Sequence, residues 1–138
     1  MLYKMKKISL IIIGLLIPVS LFAYTSPGKA TGFVNDFAKI LSVQEIQTIN
    51  SQSHSLQNSS GVQIAVATIL SLGDETIETF AVKLFQEWGI GQKGKYNGIL
   101  VLVAPNDRQV RIEVGYGMEG AVTDLQSGNI IRNVMTPA

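Results

Sequence analysis

The sequence predicts an α/β domain built around a β-hairpin. Residues 98–104 form a near-continuous apolar run (Ile99, Leu100, Val101, Leu102, Val103), which suits a central strand covered on both faces. Pro105, Asn106 and Asp107 break that run, and residues 109–114 then alternate. Val110, Ile112 and Val114 point one way, and Arg111 and Glu113 the other, so the second strand has one buried face and pairs antiparallel with the first. Residues 74–88 carry the clearest helical period, with Ile77, Phe80, Ala81, Leu84, Phe85 and Trp88 on one broad apolar face.

The N-terminus is read separately. Lys4, Lys6 and Lys7 precede an apolar stretch from Ile8 to Phe22, and Ala23 offers a small residue for cleavage. This is the layout of a secretory signal peptide over residues 1–23, too short and too interrupted by Pro18 for a membrane span. The chain is therefore expected to be exported, to the periplasm or outside the cell, and to stay at the membrane only if the segment is retained. Of the 138 residues, 115 follow Ala23, enough for one domain with one modest core. They carry eight Lys and Arg against ten Asp and Glu, a net charge of −2. No clustered basic surface is encoded, which argues against nucleic acid as a partner. With no cysteine there are no disulfides, thiol chemistry or cysteine-bound metals.

Residues 24–31 are polar, contain Pro27 and Gly28, and read as a linker. The domain proper is assigned to residues 32–138. Its first part, with Phe33, Val34, Phe37, Ile40 and Leu41 around Asn35-Asp36, reads as an extended arm with an Asx-type turn. Ser42 with Glu45 three residues on is a capping box, and Leu41 and Ile46 form a hydrophobic staple. The helix that follows carries Ile46, Ile49 and Leu56, with Ser53 as a polar link, and is expected to end near Gln57. His54, the only histidine, reads as an exposed helix residue. Residues 62–69 read as a further strand.

Gly89, Gly91, Gly94 and Gly98 stand in a loop with a helix before it and a strand after. That is the reverse of a phosphate-cradling loop, so no nucleotide is expected. Gly115, Gly117 and Gly120 mark the loop after the hairpin, where Glu119 and Asp124 stand five residues apart. Two carboxylates near a strand end are the donor type for a hard cation such as calcium, with Asn97 or backbone carbonyls adding oxygens. Thr123 or Asp124 caps a last helix running from Leu125 toward Met135, with Leu125, Ile130, Ile131 and Val134 on its apolar side.

Taken in order, GFVNDFAKILS, SSGVQIAVATI and IETFAVKLFQEWGIGQKGKYNGILVLVAPNDRQVRIEVGYGMEGAVTD resemble the TPM domain family, which includes a plant thylakoid protein of photosystem II repair and bacterial exported or membrane proteins. The resemblance covers residues 32–138. It implies a three-layer α/β/α sandwich with a mixed central β-sheet, continuing in the family past the position of Ala138, so that the C-terminal part would be missing here. Plant members are described as calcium-binding acid phosphatases, and many bacterial members have no established activity. The family's acidic positions map onto Asp36, Glu119 and Asp124, whereas Tyr96 stands where an acidic or amide residue often precedes Asn97-Gly98. The expected metal ligands are thus Asp36, Asn97, Glu119 and Asp124, with calcium as the only cofactor.

Three function classes follow. The first is a non-enzymatic accessory module that binds an envelope protein partner, with a calcium site. The second is a metal-assisted acid phosphatase acting on phosphomonoesters, for which the sequence identifies no nucleophile. The third is a glycan-cleaving enzyme using two carboxylates, whose separation the sequence does not set.

Overall fold

The computed structural model describes residues 24–130 and Arg132, the side chains of Asp124 and Leu125 excepted. The signal segment, and Ile131, Val134 and Met135 at the expected end of the last helix, lie outside the described residues. The element order is β1 (Val34–Asp36), α1 (Val43–Ser60), β2 (Gln63–Thr68), α2 (Ile77–Trp88), β3 (Gly98–Ala104), β4 (Gln109–Val114), a 3-10 turn (Tyr116–Met118) and α3 (Asp124–Ile130). The sheet runs β1-β2-β3-β4; the first three strands are parallel and β4 is antiparallel to β3. This is the mixed four-stranded sheet of a three-layer α/β/α sandwich.

Burial explains the layers. Ala65, Ala67 and Ile69 align with Leu100, Leu102 and Ala104 on one sheet face, and Ile77, Phe80, Ala81 and Leu84 of α2 close over them. Leu84, Leu100 and Leu102 are fully buried. On that same face β4 contributes Glu113 beside Leu100 and Arg111 beside Leu102, and these two charged groups pair with each other at 3.2 Å. The helix α1 packs on β1 and β2. Its apolar stripe is thin, and Ser53 is its buried residue.

Helix boundaries follow capping chemistry. Ser42 Oγ accepts from the Glu45 amide while Glu45 Oε2 accepts from the Ser42 amide, completing the capping box. The expected end at Gln57 is corrected: α1 runs on to Ser60. The Ser59 and Ser60 hydroxyls donate to the Leu56 carbonyl, and Gly61, at φ 77°, donates its amide to Gln57. The helix expected from residue 74 is corrected to start at Ile77, because Thr76 caps it through the Thr79 amide. The arm expected at 33–41 includes a true edge strand, with Val34, Asn35 and Asp36 registered on Val66, Ala67 and Thr68.

Residues 24–28 do not hang free of the domain. Tyr24 and Ser26 both donate to the carboxylate of Glu87, at 2.7 and 2.6 Å, and Trp88 Nε1 donates to the Gly28 carbonyl at 2.9 Å. The Tyr24 ring stands edge-on to Phe80 and lies beneath the Lys83 ammonium. The segment is thereby strapped along α2. Among the described residues, no helix is long and apolar enough to cross a membrane.

Candidate functional site

Strand direction sorts the expected ligands onto two ends of the sheet. Asp36 is registered on Thr68, which is registered on Val103, so it stands at the carboxyl end of the parallel strands. Asn97 precedes Gly98, which is registered on Gln63 at the opposite end. Val103 lies five residue steps on from Gly98, about 17 Å of extended chain. Glu119 follows β4, whose last residue Val114 is registered on Ile99, so Glu119 belongs to the Asn97 end. Asp36 therefore does not share a site with Asn97 and Glu119, and the expected four-residue ligand set is corrected to that extent.

The Asp36 carboxylate is occupied within the fold. Its Oδ1 accepts from the Thr68 hydroxyl at 2.6 Å and the Ile40 amide at 3.1 Å, and its Oδ2 accepts from the Leu41 amide at 3.0 Å. Burial would raise its pKa. The hydrogen bonds from Thr68, Leu41, Ile40 and Lys39 outweigh that and hold it below 3.8. Asp36 thus turns the chain out of β1 toward Ser42.

Asn97 is likewise a structural pin. Its Oδ1 accepts from the Gln92 amide at 2.8 Å, and its Nδ2 donates to the Gly61 carbonyl at 2.9 Å and to Gln92 Oε1 at 3.2 Å. Its backbone carbonyl accepts from the Gln63 amide. Glu119 is exposed, just past the 3-10 turn. With Arg111, Glu113 and Thr123 it borders a polar recess of about 330 Å³. Asp124 is the first residue of α3, and its side chain lies outside the described ones. Calcium takes six to eight oxygens. Among the described residues, no three His, Cys, Asp or Glu side chains gather as a metal cluster, and the four expected ligands do not fit one calcium cage.

What the hairpin does bring together is its two glycine-rich loops. The Gly117 amide donates to the Tyr96 carbonyl at 2.9 Å and the Gly115 amide to the Gly98 carbonyl at 2.7 Å. Gly115 and Gly117 are required by this approach. A Cβ on Gly115 would stand 2.5 Å from the Tyr96 carbonyl oxygen, and one on Gly117 would strike that of Lys95. The locked loops present Tyr96 and Tyr116 edge-to-face, with centroids 6.4 Å apart. The two side chains are 60% and 77% exposed. Beside them opens a groove of about 410 Å³ with Phe85 and Ile90 in its walls and Lys93 at its rim. Tyr96 holds φ 52°, the left-handed region that tyrosine adopts only at a cost of about 1–2 kcal/mol.

Sequence reasoning noticed Tyr96 only as a missing carboxylate and did not pair it with Tyr116. The available signal was one tyrosine in each glycine-rich loop, GKYNG and GYGMEG, at the two chain ends of one hairpin.

A second cleft, of about 570 Å³, lies between residues 25–27 and the loop at 70–75, with Phe37, Ile69 and Phe80 in its wall. Glu75 borders it and pairs with Lys83.

The comparisons with known proteins agree with this architecture. The structure is similar to the N-terminal domain of a protein from P. gingivalis, at 36% identity and a TM-score of 0.71, covering 78% of this chain and 68% of that one. It is also similar in fold to the N-terminal domain of the cg2496 protein from Corynebacterium glutamicum, at 22% identity and a TM-score of 0.58, covering 80% of this chain and 68% of that one. No curated protein matches. The family model described as the TPM domain matches residues 34–138. With the mixed sheet and the ordered segments already in place, that match over most of the chain establishes that it belongs to the TPM domain family.

Proposed function

We propose that this chain is a non-enzymatic accessory module of the cell envelope, exported by its N-terminal segment, that engages an envelope partner through the Tyr96–Tyr116 end. The observation that carries this reading is the exposed tyrosine pair on strained, glycine-locked backbone. Strained backbone that its surroundings hold in place clusters at ligand clamps and other recognition sites. The full chain, recovered from the exported fraction, is to be sedimented with isolated cell envelopes beside a Tyr96→Ala, Tyr116→Ala double variant. Co-sedimentation that falls at least about tenfold in the variant supports the reading. Equal co-sedimentation of the two proteins would sink it.

A second reading adds a calcium ion near Glu119. It is favoured by Glu113 and Glu119 bordering one polar recess with Thr123. Calorimetric titration of calcium alone into the chain and its Glu119→Gln variant tests it, and indistinguishable heats would exclude Glu119 as a ligand. The acid phosphatase implied by the family resemblance would need such a cation. Hydrolysis of a simple aryl phosphate, with and without calcium, that does not exceed the Glu119→Gln control would rule out this cation-dependent activity.

A further inference from the structure

We propose that the groove beside Tyr96 and Tyr116 takes an acidic polysaccharide, with a sugar ring lying on a tyrosine face and its carboxylate or phosphate groups meeting Lys93 and Lys95. The inference rests on the reading above, that this end of the domain engages an envelope partner, and names the class of that partner.

Tyr96 is held at a conformational cost. At φ 52° an asparagine or glycine would hold the turn with less strain, yet the position carries a tyrosine that is 60% exposed. Tyr116, whose ring stands edge-on to it, is more exposed still. Two perpendicular rings offer a negatively polarised face to the weakly positive C–H groups of a sugar.

Charge favours an anionic ligand. Among the described residues lining the groove there is no carboxylate, and Lys93 stands at its rim. Lys95 is exposed one residue before Tyr96. Neither lysine forms an ion pair with a described residue. On an exported portion with net charge −2, this is a local positive rim, and it is complementary to an anionic chain.

Main-chain hydrogen bonding separates sugar from peptide. A bound peptide must find partners for its own main-chain groups. Here most of the loop amides are already used. Those of Gly91 and Gln92 donate to Gln63 and Asn97 side chains, those of Lys95 and Tyr96 to the Gln92 carbonyl, and those of Gly115 and Gly117 to Gly98 and Tyr96. The groove also lies beyond the strand ends, so it offers no edge for strand addition. A polysaccharide needs neither, because its ring stacks and its outer hydroxyls stay in water.

The experiment uses the full exported chain and three probes of matched length: an oligogalacturonate, a neutral glucan and poly-glutamate. Each is titrated calorimetrically and followed by amide chemical shifts. Oligogalacturonate is expected to bind and to move the resonances of Lys93, Tyr96 and Tyr116, with little response to the other two probes. Tyr96→Asn, which suits the turn, should weaken binding about tenfold while leaving the amide spectrum dispersed. Lys93→Gln and Lys95→Gln should each cost about threefold and flatten the salt dependence. Neutral glucan binding as tightly would overturn the role of charge, and poly-glutamate binding as tightly would overturn the sugar class. If no carbohydrate binds while envelopes still co-sediment in a Tyr96-dependent way, the polysaccharide inference fails and the accessory-module reading stands. If neither occurs, both fail.

Discussion

The Thr68 hydroxyl donates to Asp36 Oδ1 at 2.6 Å, joining the end of β2 to the end of β1 across the sheet. With the Ile40 and Leu41 amides on the same carboxylate, this contact fixes where the chain leaves the edge strand and turns toward α1.

Asp36→Ala leaves a hydroxyl and two amides without an acceptor, and is expected to destabilise the domain by about 1–3 kcal/mol. The folded pKa lies below 3.8, so this contribution is fully present above that value and is lost as pH falls through the folded pKa. Urea unfolding from pH 6 down to pH 2 should show the wild type losing more stability than the Asp36→Ala variant. Parallel curves would contradict the assignment.

Asn97 distinguishes a structural amide from a metal ligand. Asn97→Asp keeps an oxygen donor but loses the N–H groups that reach the Gly61 carbonyl and Gln92 Oε1. It is expected to cost about 1–3 kcal/mol of stability, much as Asn97→Ala would, whether or not calcium is added. Chemical denaturation of both variants with and without calcium checks this. Recovery of Asn97→Asp by calcium would instead make Asn97 a ligand position.

Tyr96→Asn should separate stability from recognition. Relief of the left-handed tyrosine is offset in part by loss of the Tyr116 edge contact, so the free domain should be unchanged or up to about 1 kcal/mol more stable. Envelope binding should fall in the same variant. Thermal melts and co-sedimentation on one preparation give both readouts, and a clear loss of stability would show that Tyr96 serves the fold.

Tyr24 predicts an alkaline limit for the N-terminal strap. Burial first, then the hydrogen bond and charge of Glu87, push its phenol well above the ordinary 10.0. A raised folded pKa means that the stabilisation is fully present below pH 10 and is lost as pH rises through the folded value. Tyr24→Phe removes the donor to Glu87 and is expected to cost about 0.5–1.5 kcal/mol at pH 7. The difference between the two proteins should narrow in melts taken above pH 10, and a constant difference would count against the Glu87 contact.

The sequence by itself determined the elements whose causes are local. The apolar run at Ile99–Val103, the alternation through Val110, Ile112 and Val114, the Ser42–Glu45 box and the stripe from Ile77 to Trp88 all follow from neighbours a few residues apart. The end of α1 escaped it because the Ser59 and Ser60 hydroxyls bond back to Leu56, which composition alone does not reveal. The tertiary structure decided which residues share an end of the sheet. Asp36 and Asn97 are 61 positions apart, and whether they meet depends on β1, β2 and β3 running parallel, a direction set by helical crossovers and side-chain packing. The same packing brought Tyr96 and Tyr116 together. The antiparallel hairpin returns the chain to where β3 begins, and Gly115 and Gly117 admit the approach of the backbone at Lys95 and Tyr96 that any side chain would block.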